Sequence, residues 1–178
     1  RERKLETSPS FFEVAFGLSS GSKKNIDRNL RITSPIDIEG VHLRGKVDRV
    51  DVGNNVFAII DYKSGTGTPK RNDIERGISL QIPLYLYVVE HMMAEVSGKK
   101  LKGVAGIYYT LKTPVKEQLG IGNKEYLGKA FNANSRNKQL TENEDELHLI
   151  IQRAIAFVND YVDSIARGAF PVAPKDPN

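Results

Sequence analysis

Cysteine is absent from the 178 residues, and so is tryptophan. Without cysteine the chain supplies no disulfide, no zinc–thiolate centre, no iron–sulfur ligand and no thiol nucleophile. Histidine is scarce: His42, His91 and His148 stand far apart, so a histidine-rich metal cage is not expected. No run approaches the ~18 consecutive apolar residues of a membrane-spanning helix. The chain opens on Arg1 and shows neither a signal peptide nor an Arg/Ser-rich leader. Its last residues, Phe170 to Asn178, carry prolines at 171, 174 and 177 and read as a linker. Both ends therefore read as cut, and residues 1–178 are expected to be one domain of a longer protein.

What is present suits a folded domain. Hydrophobic residues make up 39% and charged residues 27%, enough apolar surface for a core and against global disorder. The formal net charge of +4 permits an anionic partner without requiring one.

Residues 11–17 form a short aromatic-rich run closed by Gly17, which predicts a strand. Residues 18–34, with Lys23, Lys24, Arg28 and Arg31, read as a solvated basic loop. Asn54-Asn55 fits the two-residue turn of a hairpin, since Asn tolerates positive φ. That turn pairs Val52 with Phe57, Val50 with Ile59, Asp48 with Asp61 and Lys46 with Lys63. Val50, Val52, Phe57 and Ile59 then share one face with Asp48, Asp61 and Lys63, while Val47, Ala58 and Ile60 take the other. A slip of one residue would send the two carboxylates to opposite faces.

Leu80, Leu84, Val88 and Met92 repeat every fourth residue, predicting a helix over 76–97 that starts near Ser79, so that Pro83 falls in its first turn. Residues 103–111 predict a strand. Residues 112–140 hold six basic and two acidic side chains and read as a basic polar insertion, either a mobile flap or a solvated excursion. Thr141 to Glu144 fits a capping box. The stripe Leu147, Ile151, Ala154, Ile155, Val158, Val162, Ile165 predicts a core-packing helix ended by Gly168 and Pro171.

Chemistry concentrates in three patterns: Gly45-x-x-Asp48-Arg49-x-Asp51, Ile60-Asp61-Tyr62-Lys63-Ser64-Gly65 and Gln81-x-x-x-Tyr85. Two aspartates opposed on paired strands repel unless something compensates them. Carboxylate oxygens suit a hard divalent ion such as Mg²⁺ or Mn²⁺, and Lys63 adds an ammonium beside it, an arrangement suited to phosphate-ester hydrolysis. A buried Asp61–Lys63 ion pair, with Asp48 hydrogen-bonded elsewhere, accounts for the same residues.

The ordered set Leu43 to Asp51, Ile60 to Gly65 and Gln81 to Tyr85, led by Phe12-Glu13-Val14-Ala15-Phe16-Gly17, resembles the RecB-type branch of the PD-(D/E)XK nuclease superfamily. In more detail it is similar to the nuclease domain at the C-terminus of AddB-like helicase–nuclease subunits. The resemblance implies an α/β, restriction-endonuclease-like core: a mixed β-sheet flanked by helices. It implies that Asp48, Asp61 and the Tyr62 carbonyl bind Mg²⁺ or Mn²⁺, that Lys63 is the catalytic lysine, and that Gln81 and Tyr85 lie near the scissile phosphate. Arg49 and Asp51 belong to the same pattern, as support for the Asp48 strand. The implied activity is exonucleolytic hydrolysis of DNA beside a helicase subunit or helicase domain, in recombinational repair, in the bacterial cytoplasm and away from membranes.

Two departures stand out. Relatives carry a metal-ligating histidine on a helix upstream of these motifs, and none of the three histidines holds that position. Glu13 is either a substitute carboxylate or a structural ion-pair partner. Relatives also carry flanking iron–sulfur cysteines, so such a cluster belongs only to a longer protein. Two further readings fit the motifs: a catalytically lapsed module that binds DNA and a partner subunit, and a CRISPR adaptation-type nuclease.

Overall fold

Six consecutive residues, Val56 to Asp61, are buried in the strand that forms the centre of the molecule. A strand buried on both faces loses the polar–apolar alternation of a surface strand, because each face needs apolar cover. The computed structural model describes residues 5–18, 26–65, 67–112 and 114–169. Lys23 and Lys24 of the basic loop, and the linker 170–178 with Pro171, lie outside the described residues.

The elements in chain order are β1 (Ser8–Phe16), β2 (Arg31–Ile32), β3 (Ile36–Ile38), β4 (Val41–Leu43), β5 (Gly45–Val52), β6 (Val56–Lys63), α1 (Arg71–Glu75), α2 (Gln81–Ser97), β7 (Lys102–Thr110), β8 (Lys116–Asn123), β9 (Leu140–Thr141) and α3 (Glu144–Ala166). Seven strands form one mixed sheet in the order β2-β1-β5-β6-β7-β8-β9, and β3 with β4 forms a separate hairpin. The β5–β6 pair is antiparallel, while β6 and β7 run parallel. A parallel pair needs a crossover, and α1 and α2 provide it. The architecture is the α/β, restriction-endonuclease-like arrangement that the motifs imply.

Side chains from the two faces of β6 enter two cores. Phe57 and Ile59 pack with Ile82, Leu86 and Met93 of α2 and with Leu147 and Ile151 of α3. Ala58 and Ile60 pack with Val104, Ile107, Phe131 and Leu140. Gly106 lets α2 approach the sheet, since a β-carbon there would collide with Ile82.

Pro83 is the third residue of α2, where its missing N–H removes no intrahelical bond. The cap of α3 lies two residues beyond the expected Thr141: Asn143 accepts the Glu146 N–H at 2.9 Å. Thr141 belongs to β9 instead, its hydroxyl donating to the Asn143 carbonyl at 3.1 Å. The α3 stripe is buried only as far as Val158, and Val162 and Ile165 are exposed. The segment 112–140 also differs from an insertion or flap: Lys116–Asn123 is strand β8, and Ala130 and Phe131 are buried in the second core. Its charges mask a pattern in which only Gly120 to Asn123 are fully buried. Among the described residues no helix is long and apolar enough to cross a membrane.

Candidate active site

The β5–β6 hairpin follows the expected register, with Val52 opposite Phe57, Val50 opposite Ile59 and Arg49 opposite Ile60. There the ladder stops. The expected pairs Asp48–Asp61 and Lys46–Lys63 are not made; the Asp48 side chain accepts the Tyr62 N–H at 2.9 Å in place of a backbone partner. The cause lies on the other side of β5. Its pairing with β1 runs from Phe12–Arg49 to Val14–Val47 and skips Glu13–Asp48, where Glu13 has φ of 55°. A non-glycine residue in the left-handed region breaks the alternation of a strand. As a result Val47, expected on the face opposite Val50, shares the same core with it.

Where β5 and β6 part, the chemistry collects. Asp61 is buried, and its Oδ2 lies 2.7 Å from Lys63 Nζ in an ion pair that lacks an aligned hydrogen bond. Burial raises the Asp61 pKa, Lys63 opposes the rise, and the charge of Asp48 adds to it. Lys63 Nζ donates to Gln81 Oε1 at 2.7 Å and stands 5.5 Å above the Tyr108 ring. Gln81 Nε2 donates to the Tyr85 hydroxyl at 3.1 Å, and that hydroxyl donates to the Lys46 carbonyl at 2.9 Å. Gln81 and Tyr85, one helical turn apart, therefore tie the ammonium on β6 through α2 to β5. Burial raises the Tyr85 pKa, keeping the hydroxyl in its donor form.

Tyr62 points away from this cluster. Its hydroxyl accepts from Arg49 at 3.3 Å and its ring meets Tyr109 edge-on at 5.7 Å. Arg49 and Asp51 bind each other through two hydrogen bonds of 2.6 Å, and this pairing holds the guanidinium pKa above its ordinary value. Glu13 pairs with Lys46. The histidines lie elsewhere: His42 meets Asp37 at 3.1 Å, His91 meets Glu95 at 3.3 Å, and His148 contacts Gln152 at 3.4 Å. Tyr108, beneath Lys63, is the neighbour that the sequence reading missed. Placing β7 parallel to β6 puts it opposite Asp61, a relation no local pattern reveals.

Residues 1–177 match the model of the PD-(D/E)XK nuclease superfamily. The chain belongs to that superfamily. Among curated proteins it is similar to an ATP-dependent helicase/deoxyribonuclease subunit from Clostridium botulinum: 30% identity in strain Loch Maree and 28% in strain Hall, over 94% of this chain and 15% of the relative in each case. The protein of the same name from Moorella thermoacetica is 28% identical over 76% of this chain and 13% of the relative. The chain thus spans about 15% of the length of the curated relatives it matches first.

Proposed function

We propose that this superfamily member is a divalent-metal-dependent deoxyribonuclease domain, an exonuclease that works beside a helicase in bacterial recombinational repair. The observation that carries the reading is the convergence of Asp48, Asp61, Lys63, Gln81 and Tyr85 from β5, β6 and α2 at the point where the hairpin ladder opens. The deoxyribonuclease and helicase words in the relatives' names support it.

The donor chemistry fits a hard cation. Asp61 Oδ2 is buried without an aligned hydrogen bond, Asp48 is a second carboxylate at the same point, and oxygen donors are what Mg²⁺ and Mn²⁺ take. Asp48, Asp61 and the Tyr62 carbonyl are the groups that would hold the ion. When bound, the ion polarises the phosphate and lowers the pKa of a bound water. Lys63 releases its contact with Asp61 and sets its charge against the negative charge that develops on the phosphoryl oxygens. A partly desolvated ammonium does this more strongly than one in bulk water. Gln81 holds that ammonium in place, and Tyr85 anchors Gln81 to the backbone of β5. Arg49 and Asp51 keep β5 straight behind Asp48.

The test combines calorimetric titration with Mn²⁺ and cleavage of an end-labelled oligonucleotide. Asp61→Asn is expected to lose both ion binding and cleavage. Undiminished cleavage by both Asp61→Asn and Lys63→Ala would refute the reading. One observation favours a second reading, a module that binds DNA without cutting it: among the described residues no group of three His, Cys, Asp or Glu side chains is placed to hold a metal. An intact chain that binds DNA but cleaves none, with Mg²⁺ or Mn²⁺ present, would establish that second reading.

A further inference from the structure

The outer edge of β8 is covered by β9 only at Gly122 and Asn123. Beside its uncovered part lies a cavity of about 520 Å³ walled by residues 67–70, 107, 117–119, 132–134, 137 and 139. Four of the five primary amides on these walls share one property: their oxygens are already taken. Gln118 Oε1 accepts from the Thr68 hydroxyl at 2.8 Å, and Gln139 Oε1 from the Arg71 N–H at 2.5 Å. Asn134 Oδ1 accepts from the Arg136 N–H at 2.8 Å, and Asn137 Oδ1 from the Gln139 N–H at 3.0 Å. These bonds fix each amide plane. Each NH₂ carries two donors, and none of the four has a hydrogen-bond partner among the described residues. The two charged side chains on the walls, Lys70 and Glu117, are of opposite sign. The cavity is therefore rich in donors and nearly neutral, and it suits a ligand dense in acceptors.

We propose that this cavity holds one nucleotide of the DNA strand being cut, gripping its phosphate and base oxygens by amide donors rather than by charge. The inference rests on the nuclease reading for its substrate class, and three observations support it. Gln118 pairs with Tyr108, and Tyr108 with Asp61, so the three stand in one row across β8, β7 and β6. Paired residues present their side chains to one face, and two strand spacings are on the order of 10 Å. That is about three steps of a stacked strand at ~3.4 Å each. The segment 67–70 that walls the cavity belongs to the connection that leaves β6 just after Lys63. The volume lies within the ~300–1,000 Å³ of small-ligand pockets, enough for a nucleotide and too small for a folded partner. Phosphates and base edges are acceptor-rich at every sequence, which suits an enzyme that cuts without reading bases.

Gln118→Glu and Gln139→Glu test the inference. Each keeps the oxygen that accepts the internal hydrogen bond and replaces the free donors with an anionic oxygen. Binding of a fluorescent single-stranded oligonucleotide is measured by anisotropy without divalent ions, in an Asp61→Asn background so that nothing is cut. Each variant is expected to weaken binding at least tenfold, against less than twofold for Gln152→Glu, which places the same charge on α3. A thiothymidine placed three nucleotides from the cleaved bond is expected to photocrosslink to residues 67–70, 117–119 or 132–139. Wild-type affinity in both cavity variants, or crosslinks only outside these segments, would overturn the inference. The two readings fail separately. A chain that binds through the cavity but never cuts leaves the cavity assignment standing and removes the nuclease. A chain that cuts normally with both cavity variants does the reverse.

Discussion

The two ends of the β5–β6 hairpin follow opposite rules. Near the turn, Val50, Phe57 and Ile59 are fully buried, the backbone ladder is continuous, and every strand contact is generic. At the far end the ladder stops, a carboxylate stands in for a backbone partner, and a buried acid faces an ammonium. A closed ladder satisfies its polar groups internally and leaves nothing to offer a substrate. An opened one must satisfy them with side chains, and those side chains are the ones to which the proposed chemistry is assigned. The apolar end supplies the stability that the polar end consumes.

The comparison breaks first at the apolar end. Phe57 is fully buried and fills the space beside Gly103. Phe57→Ala is expected to destabilise by about 3–5 kcal/mol, read from the urea midpoint at constant m. Cleavage by whatever remains folded should be normal. At the polar end the effect inverts: Lys63→Ala is expected to cost about 10²–10³ in rate, with a smaller shift in the urea midpoint than Phe57→Ala. A Lys63 variant that unfolds as readily as Phe57→Ala would show that the polar end holds the fold together.

The sequence was legible at the end where periodicity governs. The turn at Asn54-Asn55 and the alternation around it placed the register through Arg49–Ile60 correctly. The same alternation failed at Val47, because a period of two cannot foresee the positive φ of Glu13 on a neighbouring strand. Gln81 and Tyr85 stood out by their spacing, yet their link to Lys63 depends on the crossover that brings α2 over β6. Strand β8 was hidden because its charged first half hides its buried second half. Two-residue strands such as β9 leave no periodic trace.

Gln81 sharpens the comparison by separating position from chemistry. It accepts the Lys63 ammonium and donates to Tyr85. Gln81→Ala is expected to slow cleavage about tenfold, the loss of one hydrogen bond to a charged group, while Mn²⁺ affinity stays within twofold. Gln81→Glu keeps the acceptor for Lys63 and should recover most of the lost rate. A residue that merely packed would show no such recovery.

The smallest effect concerns Tyr108, which belongs to both ends at once. Its ring is fully buried in the core while its face underlies Lys63. The hydroxyl is buried with no aligned hydrogen bond among the described residues, and a buried unpaired hydroxyl costs about 1 kcal/mol or more. Tyr108→Phe removes that cost and keeps the ring, so a gain of about 1 kcal/mol in unfolding free energy is expected. Its pH dependence has a definite sign. Burial pushes the Tyr108 pKa up to about 12, above the ordinary value of 10.0; the charge of Asp61 acts in the same direction, and nearby Ser79 opposes the rise without cancelling it. The folded chain therefore holds this proton more tightly than the unfolded chain. The corresponding stability is complete below pH 10 and falls as pH rises from there through about 12. Tyr108→Phe lacks this loss, so its advantage over the wild type should widen between those values. An advantage that stays constant across that range would mean that the hydroxyl reaches solvent, and that the apolar end of the sheet stops before the Asp61–Tyr108 pair.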